Sequence, residues 1–434
     1  MEHGPSSSEQ RTTLNFLVRA FRYRNYRLFF SGQGISLVGT WMQQIAMSWL
    51  VYRLTNSAFL LGLIGFAGQV PTFVLTSVAG VFADRWDRRK LLILTQVLAM
   101  FQAFLLAFLT LMGHIAVWHL FILSVFLGLI NALDIPVRQS FVIDLVENRD
   151  DLGNAIALNS VMFNGARLVG PSIAGLLIGI VGEGACFFLN GVSFFAVVVA
   201  LLAMNIPERK RESETLSFIQ GLRDGYRYTF GFAAIRYIIL LLGLISLMGM
   251  PYLVLMPIFA RDILHGGPHT LGFLMGASGV GALIGAIYLA SRKTVLGLGR
   301  LMVISSGTFG IGLIVFSFSN YIQLSLCMML LTGFGMIVHM ASSNTILQTI
   351  VDEDKRGRIM SFYAMAFMGM APFGSLLAGS LASKIGAPTT LTISGLACVV
   401  GSLLFLTKLP LIRKLVRPIY VQMGIIREIP TDLQ

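Results

Sequence analysis

Charged side chains are scarce in this chain. Asp, Glu, Lys and Arg together make up 12% of its 434 residues, whereas soluble domains carry about 25%. Hydrophobic residues account for 56%, and the mean hydropathy is +0.79. So little polar surface cannot cover a water-soluble globule, and the composition therefore excludes a soluble enzyme and predicts that lipid surrounds most of the protein.

Cysteines are also few, and the chain begins without the pattern of a cleaved leader. The three cysteines lie inside apolar segments, where a thiol behaves as a small hydrophobe, so no disulfide framework is expected. The first thirty residues hold no short apolar core followed by a small-residue cleavage site. Instead, four arginines precede the first long apolar run and predict a retained cytoplasmic segment: Arg19, Arg22, Arg24 and Arg27.

Several site chemistries have no support in the sequence. A Gly-rich loop followed by Lys and Ser or Thr is missing, so ATP-driven transport is not expected. No His and Cys cluster has metal-ligand spacing, and no nucleophile stands beside a plausible base. The net charge of +12 comes from basic residues in short loops between apolar runs, which membrane topology explains better than nucleic-acid binding does. We therefore expect no enzymatic activity, no cofactor, no metal and no nucleic-acid partner.

Long apolar windows recur along the chain, and each is long enough to cross a bilayer as a helix of about twenty residues. The predicted fold is therefore an all-α membrane protein with twelve transmembrane helices. The windows are 28–52, 58–82, 90–112, 117–137, 155–181, 184–205, 233–260, 270–290, 300–319, 321–344, 358–382 and 387–408.

A single long polar interruption divides these windows six and six. The predicted organisation is a cytoplasmic N-terminal tail (1–27), a six-helix bundle (28–206), a cytoplasmic linker (207–231), a second six-helix bundle (232–409) and a cytoplasmic C-terminal tail (410–434).

The positive charge is distributed unevenly across the membrane. Cytoplasmic loops keep Lys and Arg, whereas exported loops lose them. All but four of the 32 basic residues fall on the side shared by both termini; the exceptions are Arg53, Arg261, Lys384 and, within a span, Arg167. We therefore predict a multi-pass protein of the bacterial inner membrane with both termini in the cytoplasm.

A short internal repeat relates the two halves. Residues 175–179, GLLIG, recur as residues 375–379, SLLAG, at an offset of 200, and Pro171 lies near the position matching Pro372. Chance recurrence of Leu and Gly in apolar sequence is the alternative. Both copies fall in the fifth helix of their half, and two six-helix halves in parallel repeat resemble the architecture of major facilitator transporters.

The loop between the second and third windows reads GVFADRWDRRK and resembles the cytoplasmic loop signature of the major facilitator superfamily. In that family the loop clamps the halves together, with the acidic residue beside a helix N-terminus, where the helix dipole favours a carboxylate. A positive-inside anchor is the alternative for the basic residues, and the second copy of the loop, after the eighth window, has lost its acidic residue. The resemblance implies a gating role for Gly80, Asp84, Arg85, Arg88 and Arg89.

The fifth window contains ARLVGPSIAG, which resembles the helix-5 motif of proton-coupled exporters. Small residues let helices approach closely, and a proline lets the helix bend. Alanines stand where two of the family's glycines are usual, and a merely structural kinked helix is the competing interpretation. The motif residues are Arg167, Gly170, Pro171 and Gly175.

Further stretches resemble one branch of the superfamily, which contains enterobactin exporters and macrolide-efflux proteins. They are residues 39–44, residues 55–58, Pro71 and residues 136–139. Because the members of this branch carry different cargo, the resemblance implies a transporter and leaves its substrate open.

Ionisable residues within membrane spans are costly and usually functional. Arg167 is expected to face a central cavity, with an anionic cargo group or Asp134 as its partner; an interhelical ion pair without cargo contact is the alternative. A group that changes charge is needed for proton coupling, and the candidates in order are Asp134, Asp84 and His339. A local pair with Arg138, one turn away, also accounts for Asp134, and packing also accounts for His339.

The predicted function is a secondary active exporter of an amphipathic small molecule, drug or siderophore, working by alternating access in exchange for protons. The alternatives are a flippase for lysophospholipids and a membrane signalling or scaffold protein without transport activity. The expected partners are the small-molecule cargo, protons and the bilayer, and the protein is expected to be a monomer. Candidate cavity residues, each also explicable by helix packing, are Trp41, Gln44, Gln69, Asn159, Asn164, Arg167 and Met365.

Overall fold

The computed structural model describes residues 19–205, 227–292 and 294–426, with the backbone alone at 76–85, 149 and 354. Twelve helices follow one another through this part of the chain. The first six are α1 (Arg24–Thr55), α2 (Ala58–Arg85), α3 (Arg88–Leu111), α4 (Val117–Asp144), α5 (Leu152–Val181) and α6 (Glu183–Ala203). The next six are α7 (Ala233–Ile263), α8 (Pro268–Ala290), α9 (Leu298–Ser317), α10 (Ile322–Ile350), α11 (Glu353–Ala364, Met365–Gly369 and Met370–Ile385) and α12 (Ala387–Gln422).

Eleven of these helices are long and apolar enough to span a membrane, and α1 is the exception. It is 32 residues long, but it carries buried polar side chains at Gln33 and Gln43, which lower its hydropathy. The twelve helices follow the twelve apolar windows, so the predicted fold class is confirmed.

The predicted ends are less accurate than the helices themselves. The last window ends at residue 408, but α12 continues to Gln422. Four residues of this extension are buried at helical spacing: Leu409, Ile412, Val416 and Tyr420. Because basic residues lie on the opposite face, the sequence predicts a polar tail here, although the apolar positions of the segment repeat every three to four residues.

The described chain forms two compact units. Unit 1 comprises Met1–Asn56, Ala67–Ser213 and His265–Gly276, and unit 2 comprises Ser57–Phe66, Glu214–Leu264 and Ala277–Gln434. Unit 1 thus includes the beginning of α8, which the sequence assigns to the second half. Unit 2 includes the beginning of α2, which the sequence assigns to the first half. The bundles 28–206 and 232–409 therefore stay a prediction as domains.

Small residues in α5 and α11 place the internal repeat in a different register from the one predicted. Gly170 and Gly374 each fit closely against the first helix of their half, and Ala174 and Ala378 are both buried. These pairs lie 204 residues apart rather than 200. The predicted alignment, at an offset of 200, matches the two leucines of each copy. The residues in equivalent contacts are related by an offset of 204, which is one helical turn more.

The same offset of 204 residues relates Gly175 on α5 to Gly379 on α11, the glycines at which these two helices cross a neighbouring helix. A Cβ added at Gly175 would lie 2.8 Å from the Cα of Gly272 on α8, within unit 1. A Cβ added at Gly379 would lie 2.8 Å from the Cα of Gly62 on α2, within unit 2. Each crossing is therefore a contact of backbone on backbone, which only glycine allows on both sides.

The beginning of α1 and the residues just before it pack against the beginning of α5. Arg19–Arg22 form a short 3₁₀ turn. The hydroxyl of Tyr23 donates a 2.9 Å hydrogen bond to Asp151 Oδ2, and the hydroxyl of Tyr26 donates one of 2.9 Å to the carbonyl of Ala155. Part of the predicted N-terminal tail is thus packed structure in unit 1.

Candidate functional site

An aromatic and cationic cluster joins α1 and α5 in unit 1. The guanidinium carbon of Arg167 lies 5.8 Å from the centroid of the Trp41 ring. Phe163, one turn before Arg167, meets the same indole edge to face at 6.1 Å between centroids. Trp41 and Arg167 are half-buried and Phe163 is exposed. The cluster therefore presents planar apolar rings beside a permanent positive charge on an accessible face of the unit.

Gly170 sets the distance between the helices that carry this cluster. A Cβ at this position would lie 2.5 Å from the Cβ of Trp41 and 2.9 Å from the carbonyl oxygen of Val38. Any side chain at residue 170 would thus push α1 away, because these atoms are fixed by the backbone of α1. The motif that the sequence singles out in α5 therefore supplies both the cation and the space for its aromatic partner.

The other predicted cavity residues differ in their surroundings. On α1, Gln44 is exposed one turn after Trp41, on the face that carries the cluster. Asn164 is half-buried and donates through Nδ2 to the carbonyl of Ser160, 2.9 Å away. Asn159 is half-buried and Gln69 on α2 is exposed. The structure brings Trp41 and Arg167 into contact, and Gln44 shares their face.

Asp134 is the carboxylate buried within a predicted span, at 3% exposure. Arg138 Nη2 lies 2.8 Å from its Oδ2, the one-turn pair that the spacing predicts. The hydroxyl of Thr95 and the amide of Gln96 each donate to its Oδ1 from 2.8 Å. Three donors from α3 and α4 therefore surround one buried carboxylate in the interior of α4.

A network of buried amides in unit 1 was missed by the sequence analysis. Gln43 donates to Oε1 of Gln102 at 3.0 Å, and Asn190 donates to Oε1 of Gln43 at 2.8 Å. The network links α1, α3 and α6 below the apolar surface. Amides inside apolar windows are its signal in the sequence, but the predicted cavity residue is Gln44, the exposed neighbour of Gln43.

Unit 2 holds two further predicted residues. Met365 begins a π-helical turn, Met365–Gly369, in α11 and is exposed. His339 on α10 is 1% exposed, so its imidazole is buried. The hydroxyl of Ser342 on the same helix is buried in the same way. The structure places His339 in the interior of unit 2 and Met365 at its surface.

The basic loop after α2 ties neighbouring helices together. Arg88 Nη1 lies 3.0 Å from Asp144 Oδ2, at the last residue of α4. Arg89 donates to the carbonyl oxygens of Leu201 and Leu202 on α6 at 2.8 and 2.9 Å. Arginines at carbonyls near a helix end satisfy acceptors that the helix leaves open. The other gating candidates, Gly80, Asp84 and Arg85, lie in the segment 76–85, of which the structure describes only the backbone.

Comparison with known proteins assigns this arrangement to a group of membrane transporters. A major facilitator family model described as a transmembrane secretion effector matches residues 18–416. The match covers every helix described above except the end of α12.

Two curated relatives are similar over most of their length. The staphyloferrin A transporter of Staphylococcus aureus is 26% identical over 380 residues, which cover 87% of this chain and 95% of the relative. The multidrug efflux pump Tap of Mycolicibacterium fortuitum is 24% identical over 370 residues, covering 83% and 88%. Both relatives are transporters, one of a siderophore and one of drugs.

Solved structures show the same fold. A bacterial homologue of the human lysosomal transporter Spinster, in an inward-facing and occupied conformation, superposes with a TM-score of 0.71. It is 13% identical and covers 92% of this chain and 98% of its own. At that identity the likeness concerns the fold alone.

Proposed function

Because the chain belongs to the transmembrane secretion effector family of major facilitator transporters, we propose that it exports an amphipathic small molecule carrying an anionic group, in exchange for protons. It is a multi-pass membrane transporter of small molecules, and its family consists of transporters rather than enzymes. The direction, the coupling ion and the cargo chemistry are the parts that we propose. Siderophores, which bind metal through anionic oxygens, and acidic drugs fit this description.

The cluster of Trp41, Phe163 and Arg167 is the observation that carries the proposal. An indole and a phenyl ring offer stacking surfaces to aromatic or apolar cargo, while the guanidinium binds a carboxylate through two parallel hydrogen bonds. The two rings also exclude water from one side of that ion pair, which strengthens it. Cargo with only one of these features would forgo part of the binding energy.

Asp134 is our proposed proton-coupling residue. A proton and Arg138 compete for the same carboxylate, so protonation would release the guanidinium 2.8 Å away. Thr95 and Gln96 would remain as neutral partners of the protonated acid. A change of charge within α4 would then bias the helix between two arrangements, as alternating access requires. We further propose an inner-membrane location with both termini cytoplasmic, and a monomer.

Transport by reconstituted protein tests the cargo proposal. Proteoliposomes with an imposed pH gradient are loaded with a fluorescent aromatic carboxylate dye or with its neutral analogue. We expect gradient-driven flux of the carboxylate to fall about 10- to 100-fold in Arg167→Gln, since a charge-assisted hydrogen bond contributes about 1.5–3 kcal/mol. Arg167→Lys keeps the charge and should retain part of the flux, whereas flux of the neutral analogue should change little.

Two further variants separate the parts of the proposal. Trp118→Ala removes an exposed tryptophan outside the cluster and should match wild type, whereas Trp41→Ala should not. Asp134→Asn should transport down a cargo gradient but lose its response to the pH gradient. An unchanged pH response in Asp134→Asn would overturn the coupling assignment alone. If Trp41→Ala and Arg167→Gln both transport the carboxylate at the wild-type rate, the cargo site is wrong.

A further inference from the structure

A cavity of about 480 Å³ opens in unit 2, away from the residues discussed above. It lies where the chain enters α7 and where α11 begins. Its walls combine three basic side chains with apolar and aromatic ones: Arg227, Tyr228, Gly231, Phe232, Lys355, Arg358 and Ile359.

One of these basic side chains, Lys355, is held by two neighbours. The ammonium of Lys355 lies 4.8 Å from the centroid of the Tyr228 ring and 2.8 Å from Asp352 Oδ2. The hydrogen bond and the charge of Lys355, with a further hydrogen bond from Tyr228, lower the pKa of Asp352. Asp352 is therefore ionised at neutral pH and pairs with Lys355, and the lining carries two further basic side chains, Arg227 and Arg358.

The position of the cavity brings it to the boundary of the membrane. Two candidate spans of this unit begin at Ala233 and Lys355, so Phe232 and Ile359 lie close to the ends of membrane-spanning segments. The sequence assigns this end of both spans to the cytoplasmic side. Basic pockets at such helix ends suit the headgroups of anionic lipids.

We propose that this cavity is a binding site for the phosphate headgroup of an acidic phospholipid. Arg227 and Arg358 contact the phosphate, Lys355 and Tyr228 line the glycerol region, and Phe232 and Ile359 cover the start of an acyl chain. A guanidinium pair matches the geometry of phosphate oxygens. The apolar walls beside the charges favour a lipid over a free anion, because a free anion would leave Phe232 and Ile359 exposed to water.

Lipid-dependent stability of the purified full-length protein tests this site. The midpoint of thermal unfolding in detergent micelles is measured with increasing phosphatidylglycerol, with the same mole fraction of phosphatidylcholine as the comparison. Phosphatidylglycerol should raise the midpoint in a saturable way and phosphatidylcholine should not. At about fivefold per basic side chain near a headgroup, Arg227→Gln/Arg358→Gln should weaken the apparent affinity roughly 30-fold.

Matched variants keep the result interpretable. Arg413→Gln/Lys414→Gln removes two exposed charges from the end of α12 outside the cavity and should respond to phosphatidylglycerol like wild type. Arg227→Lys/Arg358→Lys should restore much of the response, which a folding defect would not allow. Equal responses to the two lipids, or equal loss in both Gln pairs, would overturn the site. Displacement of the lipid effect by millimolar inorganic phosphate would assign the cavity to a soluble anion instead.

Discussion

At the scale of single residues, the buried ion pair of Asp134 and Arg138 is the most consequential feature. Asp134 is almost completely enclosed, and Arg138 is only partly exposed. Taking two charges out of water makes such a pair sensitive to the loss of either partner, because the remaining charge stays buried without compensation. Substituting Arg138 and substituting Asp134 should nevertheless lower the free energy of unfolding by different amounts, because each substitution leaves a different group buried.

Arg138→Ala should lower the free energy of unfolding by about 3 kcal/mol, near the lower end of the usual range for a broken buried pair. Asp134→Asn should cost less, because the amide still accepts from Thr95 and Gln96 and Arg138 can reach water. The thermal unfolding midpoint in detergent measures both. Lys355→Ala, which breaks a pair with the exposed Asp352, is the control and should leave the midpoint close to that of the wild type, because exposed ion pairs contribute little. Equal midpoints for Arg138→Ala and Lys355→Ala would contradict this account.

The sequence predicted some of these residues and not others, for physical reasons. Asp134 and Arg138 stand four apart, so helical geometry alone predicts their pair. The contact of Arg167 with Trp41 depends on how two distant helices cross, which no local pattern reveals. Gln43 and Gln44 are adjacent and chemically identical, and only the packing of α1 buries one and exposes the other.

At the scale of helices, the two glycine crossings determine how closely their partners approach. Each brings backbone against backbone: α5 with α8 in unit 1, and α2 with α11 in unit 2. An added methyl group has no flexible side chain to displace, because the nearest atoms are Cα and carbonyl atoms. The helices themselves must move.

Gly175→Ala should therefore destabilise the protein by about 1–3 kcal/mol, as overpacking does, and should reduce transport. Gly179→Ala is the matched control, since it lies one turn further along α5 and an added Cβ there meets nothing within 4 Å. Alanine is also the better helix former, so Gly179→Ala should be neutral or slightly stabilising. Thermal midpoints and flux of the carboxylate dye are compared for the two variants. If Gly175→Ala matches Gly179→Ala in both measurements, the crossing is less constrained than the geometry indicates.

Helix number and approximate position followed from hydropathy, whereas local irregularities did not. The π-helical turns in α7 and α11 hold one extra residue without a distinctive residue pattern. The predicted end of α12 is too early, because the Lys and Arg residues after 408 lower the hydropathy of a segment whose apolar residues still repeat at helical spacing. The predicted repeat aligns leucines, which can face either lipid or a neighbouring helix. The small residues determine how closely helices approach, and they give the register with an offset of 204.

At the scale of the whole molecule, the distribution of basic residues predicts which surfaces face the cytoplasm. The prediction is tested with single cysteines placed in a variant whose three native cysteines are replaced by alanine. Lys414→Cys lies on the exposed face of α12, and Tyr321→Cys lies in the turn between α9 and α10, where Tyr321 is 73% exposed. Neither position has a described ion pair to break.

In intact cells, a membrane-impermeant maleimide should label Tyr321→Cys after permeabilisation of the outer membrane, if one is present, and should leave Lys414→Cys unlabelled. A permeant maleimide should label both, which is the control for reactivity. Labelling of Lys414→Cys by the impermeant reagent would place the carboxyl end outside and reverse the orientation of every helix. The exporter proposal would then need the opposite direction of transport.

The packing of Tyr23 and Tyr26 onto the beginning of α5 also determines when the protein can complete its first unit. Their hydrogen-bond partners, Asp151 and Ala155, are 128 and 129 residues further along the chain. At about 5–20 residues per second, the ribosome needs roughly 6–26 s to deliver them. During that interval the hydroxyls of Tyr23 and Tyr26 lack these partners, so four helices are synthesised before the two hydrogen bonds can form.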